Sequence, residues 1–152
     1  MRSSIGIALC AFGLLGLTAC TMTPEPDAPP PLDAERLTGT TWVFETVADR
    51  PVPDRVRVTM GFDADEMRVF GRAGCNRYTA TYTLDGAAFE VGVAAATKMM
   101  CPEAMMDVED RFLDALAGFR RAAIDATTGR LELTAEDGSR SFAFPAADGE
   151  EA

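Results

Sequence analysis

Histidine does not occur among the 152 residues of this chain. Its absence removes the side chain that most often moves protons near neutral pH and most often binds a metal. Ser-His-Asp and Cys-His catalysis, and zinc sites built on histidine, are therefore excluded. Positive charge is scarce as well: 14 Lys and Arg stand against 24 Asp and Glu, a formal net charge of -10. A nucleic-acid backbone is gripped by clustered Lys and Arg that displace its counterions, so no nucleic acid is expected as a partner. Long apolar runs are missing too. The stretch from Ile5 to Leu17 falls short of the roughly 20 residues that a bilayer-spanning helix needs, and with Arg2 before it the pattern is that of a secretory signal.

That signal ends in Leu17-Thr18-Ala19-Cys20, which matches a bacterial lipobox: a branched residue, two small ones that fit a peptidase cleft, and a cysteine to carry diacylglycerol. Residues 1–19 are thus expected to be a lipoprotein signal peptide, cleaved before Cys20. More than one acyl chain on Cys20 gives stable membrane anchoring. Thr21, where an aspartate would retain the protein at the inner membrane, resembles the outer-membrane sorting pattern, so the chain is expected to face the periplasm from the outer membrane. From Thr21 to Pro31 the sequence is proline-dominated and has almost nothing to bury. Residues 20–31 then form an extended tether, at about 3.1 Å per residue. One domain follows over 32–145, and 146–152 is an acidic disordered tail.

Within the domain the apolar period is mostly two. Asp33 to Leu37 suggests one helical turn, and Thr40 to Val47 a strand with Trp42 and Phe44 on one face. Val56, Val58, Met60 and Phe62 alternate along a second strand, and Met67 and Val69 continue after a turn. Asp85-Gly86, Thr128-Gly129 and Asp137-Gly138 are two-residue turn signals. Folding about the first sets Tyr82 opposite Phe89, Ala80 opposite Val91 and Tyr78 opposite Val93. The second sets Ile124 opposite Leu133; the third sets Leu133 opposite Phe142 and Leu131 opposite Phe144. After Cys101 the period changes: Met105, Val108, Phe112, Ala115, Leu116 and Phe119 recur at helical spacing, with Asp107, Asp110 and Asp114 on the solvated face. Pro102 suits the first helical position and Glu103 the positive end of the dipole. The pattern predicts an α+β domain, a mainly antiparallel sheet with one amphipathic helix ending near Gly118.

Gly39-Thr40-Thr41-Trp42, then Gly74-Cys75-Asn76-Arg77-Tyr78 with Tyr82, then Thr97-Lys98-Met99-Met100-Cys101, then Met106, Glu109 and Phe112, together resemble the META domain, or HslJ-like, family. The likeness runs from about Leu37 to Phe144 and departs at Ala80, where the family usually has glycine. It implies a small, partly open barrel with one helix packed on it, often borne by a bacterial lipoprotein and similar in fold to type III secretion pilot proteins. It also implies a non-enzymatic envelope role linked to heat shock, stress response and novobiocin-type tolerance, with Gly74, Asn76, Arg77, Tyr78, Lys98 and Met99 as family-motif positions. No cofactor is implied.

Cys75 and Cys101 are the cysteines left for pairing once Cys10 is removed and Cys20 is acylated. In an exported chain a structural disulfide is the plain reading. Thiol redox chemistry is the alternative, since a helix N-terminus acidifies a thiol. Met99, Met100, Cys101 and Met105 offer the soft sulfur ligands that Cu(I) prefers, but neighbouring residues of a strand point to opposite faces, which favours core packing for these methionines. Trp42, Tyr78 and Tyr82 suit a core or the wall of an apolar ligand pocket, and Asn76 and Arg77 suit loop organisation. Three function classes follow: a module that docks an envelope protein, a carrier of an apolar small molecule, and a periplasmic copper or redox module.

Overall fold

The computed structural model describes residues 32–147. The signal segment, Cys20, the tether and the last five residues of the acidic tail lie outside the described residues. In chain order the elements are α1 (Ala34–Thr38), β1 (Trp42–Val47), β2 (Arg50–Pro51), β3 (Thr59–Asp63), β4 (Arg68–Arg72), β5 (Arg77–Asp85), β6 (Ala88–Val91), β7 (Ala95–Ala96), α2 (Glu103–Gly118), β8 (Phe119–Ile124), β9 (Leu131–Ala135) and β10 (Arg140–Pro145).

Strand neighbours follow the order β10-β9-β8-β6-β5-β4-β3-β1, and β10 pairs with β1 to close the ring. The result is an antiparallel barrel with α2 packed on it, closed where the resemblance implied a partly open one. Two short strands stand off the ring, β2 on β1 and β7 on β5. Alternation on the ring strands turns every second side chain inward. Trp42, Met60, Val69, Phe89, Leu131 and Leu133 are fully buried there. Phe112 of α2 joins them and meets the rings of Phe44 and Tyr78 at 5.3 and 5.2 Å between centroids. These side chains form one core cluster within the ring.

Because the strands run alternately up and down, each end of the barrel receives alternate connections. One end holds α1 and the 64–67, 86–87 and 125–130 loops, and it is also where the chain leaves β10. Leu37 is buried at this end, and its carbonyl accepts a 2.9 Å hydrogen bond from Trp42 Nε1. The opposite end holds the 48–58, 73–76 and 136–139 loops, the 92–102 segment and α2.

Three hairpin registers differ from the sequence expectation. About Gly86 the structure pairs Leu84 with Phe89 and Tyr82 with Val91, two residues from the expected register. The loop residues are Gly86 and Ala87, with Gly86 at φ +56°, the glycine-first arrangement of a II′ turn. A slip of two keeps each side chain on its face, so apolar matching cannot detect it. Further along β5, one more residue enters the chain between β6 and β7, so Tyr78 sits opposite Ala96, three residues beyond the expected Val93, which is exposed. The Gly129 hairpin has the same slip, pairing Ile124 with Leu131 and Ala122 with Leu133. There the Asp125 carboxylate accepts from the amides of Thr127 and Thr128 and builds a longer loop, and these bonds hold its pKa below the usual carboxylate value.

The third difference is larger. Ala135 and Ser139 bracket a three-residue loop, with the Ala135 amide donating to the Ser139 carbonyl at 2.9 Å and Gly138 at φ +85°. An odd shift exchanges faces. Ser141 and Ala143 therefore point inward, against Leu133 and Leu131, while Phe142 and Phe144 are half-buried on the outside. The Arg130 guanidinium lies 4.3 Å from the centre of the Phe142 ring. Three smaller corrections complete the comparison. Met67 is a turn residue at φ +51° and not part of a strand. Pro102 caps α2 and is not its first residue. Phe119, fully buried, begins β8 and does not end the helix stripe.

Candidate functional site

At the α2 end, the 73–76 loop between β4 and β5 is held against the first turns of α2. Gly74 makes the approach possible. A Cβ there would lie 3.0 Å from the Met105 carbonyl oxygen, and its φ of +111° favours glycine. The next residue, Cys75, is disulfide-bonded to Cys101, with 5.9 Å between their Cα atoms. The bond ties the loop to the residue just before the helix cap. It also engages the Cys101 sulfur, so no thiolate remains there for copper or for redox exchange while the bridge is intact.

Asn76 is buried and bonded through both ends of its side chain. Its backbone amide donates to Glu109 Oε2 at 2.6 Å, and its Nδ2 donates to Glu109 Oε1 at 2.9 Å and to the Met99 carbonyl at 3.2 Å. Its Oδ1 accepts from Thr97 Oγ1 at 2.8 Å and from the Met99 amide at 2.7 Å. One carboxamide thus joins the β4–β5 loop, the 97–99 segment and α2. Glu109 is also buried, and a buried carboxylate needs such donors to offset the loss of water. Tyr78, two residues further on, donates its hydroxyl to the Thr59 carbonyl at 3.0 Å, and burial raises its pKa well above the ordinary tyrosine value.

The remaining motif positions face outward. Arg77 and Lys98 are exposed. Met99 and Met100 are 54% and 92% exposed, so the core packing expected of them does not occur. The reason is local: the 97–102 segment is irregular and crosses the barrel rim. Only Met105 of the four sulfur candidates packs partly against the core. Among the described residues no three His, Cys, Asp or Glu side chains gather as a metal site.

Two open clefts flank α2. On one side Asp107, Asp110, Asp114, Glu136 and Asp137 surround Arg50 and Arg111 in a space of about 940 Å³. Partial burial and the nearby Arg50 lower the Arg111 pKa. On the other side, a groove of about 630 Å³ is lined by Arg55, Arg57, Arg72 and Arg77, with Phe70, Thr59, Gly74 and Met105.

The role of Glu109, named only as a motif position, and this groove are what sequence reasoning missed. The sequence did carry a signal for the first, because Glu109 stands on the apolar stripe, four residues after Met105 and three before Phe112. The groove had none, since its arginines come from the β2–β3 connection and from both sides of the 73–76 loop.

A family model described as the META domain matches residues 35–148. Among solved structures, the NMR structure of a protein from Burkholderia xenovorans aligns with a TM-score of 0.65 at 24% identity, covering 83% of this chain and 97% of that one. A second protein, also solved by NMR, aligns at 0.56 and 23% identity over 72% of this chain and 92% of its own. At such identities the likeness concerns the fold. No curated protein matches the chain.

Proposed function

The chain belongs to the META domain family, and from that premise we propose that it is a non-enzymatic binding module held at the cell envelope by a lipid on Cys20. In this reading it docks an envelope protein partner and serves envelope stress responses or novobiocin-type tolerance. The observation that carries the reading is the rim at the α2 end. Val93, Met99 and Met100 are exposed there, on a segment fixed by the Asn76 carboxamide and the Cys75–Cys101 bond. Because the backbone of this segment is already held, a partner that covers these side chains need not order the loop. The described chain begins with α1 at the opposite end of the barrel from this rim. The filled barrel disfavours the carrier alternative, and the engaged cysteines disfavour the copper and redox alternatives.

A photo-crosslinking residue placed at Met100 should capture a discrete envelope protein in cells, while one at Thr127, in the loop at the α1 end, should not. Equal capture from both positions, or none from either, would remove the docking reading.

A further inference from the structure

The groove of Arg55, Arg57, Arg72 and Arg77 stands out against the charge of the whole chain. With a formal net charge of -10, the protein has 14 basic residues, and four of them line this one groove. Among the described residues no carboxylate lines it. Among the described residues, the side chains of Arg55, Arg72 and Arg77 form no ion pair, whereas Arg68, Arg120 and Arg140 each pair with an acid. Repulsion among the guanidiniums of Arg55, Arg72 and Arg77 is unfavourable, and a ligand that brings negative charge to these three relieves it. Guanidiniums also suit carboxylates through paired, parallel N–H donors.

The surroundings say more about the ligand. Phe70 is exposed on the outer face of β4 within the groove, and Met105 lies partly buried along it. An apolar side chain therefore has somewhere to rest between the charges. The groove lies outside the ring, along β3, β4 and the start of β5, and is open, so it fits an extended chain better than an enclosed small anion.

We propose that this groove binds an acidic segment of a partner protein, an extended peptide with several Asp or Glu side chains and an apolar one over Phe70. The proposal rests on the binding-module reading and adds the chemistry of the partner and the residues that meet it. Each charge-assisted bond to a guanidinium contributes enough that losing two should weaken binding by about tenfold or more.

The test uses the full chain and a fluorescein-labelled peptide with glutamates flanking a central leucine, followed by anisotropy at several salt concentrations. Binding should be salt-sensitive, and the Arg72→Glu/Arg77→Glu double variant should lose it by about tenfold or more. Arg121→Glu, at an exposed position on β8, makes half that charge change elsewhere and should leave the affinity within about twofold. Far-UV circular dichroism confirms that each variant is folded. Binding that ignores the double substitution, or pyrophosphate binding more tightly than the peptide, would overturn the proposal. So would peptide binding only after residues 148–152 are removed, since the chain's own acidic end would then be the occupant. Crosslinking from Met100 that persists in the double variant, with peptide binding absent from both proteins, would leave the docking module standing and this groove without its role.

Discussion

At the scale of single residues, the Glu109–Asn76 pair decides whether the α2 end holds together. Removing the carboxylate leaves the Asn76 amide and Nδ2 short of acceptors in a buried place, at a cost of about 3 kcal/mol or more. Glu109→Ala should therefore lower the urea midpoint sharply. Glu109→Gln, which keeps the shape but replaces one acceptor by a donor, should fall between it and the native protein. Asn76→Ala combined with Glu109→Ala should cost less than the sum of the two, because the Asn76 Nδ2 to Glu109 Oε1 bond is lost in either single change. Tyr78 contributes a different dependence. Its folded pKa is raised by burial, so its stabilisation is complete below the unfolded value of about 10 and is lost as pH rises above it. Tyr78→Phe should lose roughly 1 kcal/mol from the missing hydrogen bond and show a shallower alkaline decline. A residual slope should remain from Tyr82, whose pKa is raised by partial burial and by Asp63.

At the scale of elements, the disulfide fixes how the 73–76 loop meets α2. The bonded cysteines are 26 residues apart, and closing a loop of that size contributes about 3.5 kcal/mol in the chain-entropy account. Reduction should lower the melting temperature, and Cys75→Ser, Cys101→Ser and the double change should cost about the same. Calorimetry with and without reductant checks this, and indifference to reductant would contradict it. The elements also show how much the sequence makes legible. Strand alternation and the stripe on α2 locate nearly every element, because burial on one face imposes a period on the residues themselves. Hairpin register is different in kind. It depends on loop length, and a dipeptide such as Asp137-Gly138 fits two-residue and three-residue loops alike. The even slips at Gly86 and Gly129 left the apolar faces intact. The odd one at Gly138 exchanged Phe142 and Phe144 for Ser141 and Ala143, a substitution that apolar matching disfavours. Ala143 stands between Phe44 of β1 and Leu131 of β9, both larger and buried, so a small side chain suffices between them. The candidate site was half legible: Gly74, Cys75, Asn76 and Cys101 are local in the motif, while the arginine groove exists only after folding.

At the scale of the molecule, entry through α1 and exit from β10 at one end leave the opposite end for contact. Lipid on Cys20 would then set the direction in which that end faces. Cys20→Ala and globomycin should each leave uncleaved or unlipidated precursor, which mass measurement and fractionation read. A variant that stays membrane-bound and processed would rule out the anchor. The pairing of β1 with β10 has one more consequence, and it concerns time. Trp42 pairs with Pro145, so the first strand made waits for the last before the ring can close. Contacts so distant in sequence form slowly, and synthesis proceeds from the N-terminus. Through that interval β1 keeps an unpaired edge, and the nascent barrel is an open sheet whose hydrogen-bonding edge invites any neighbouring strand. The most hazardous moment for this protein therefore comes just before its final six-residue strand arrives.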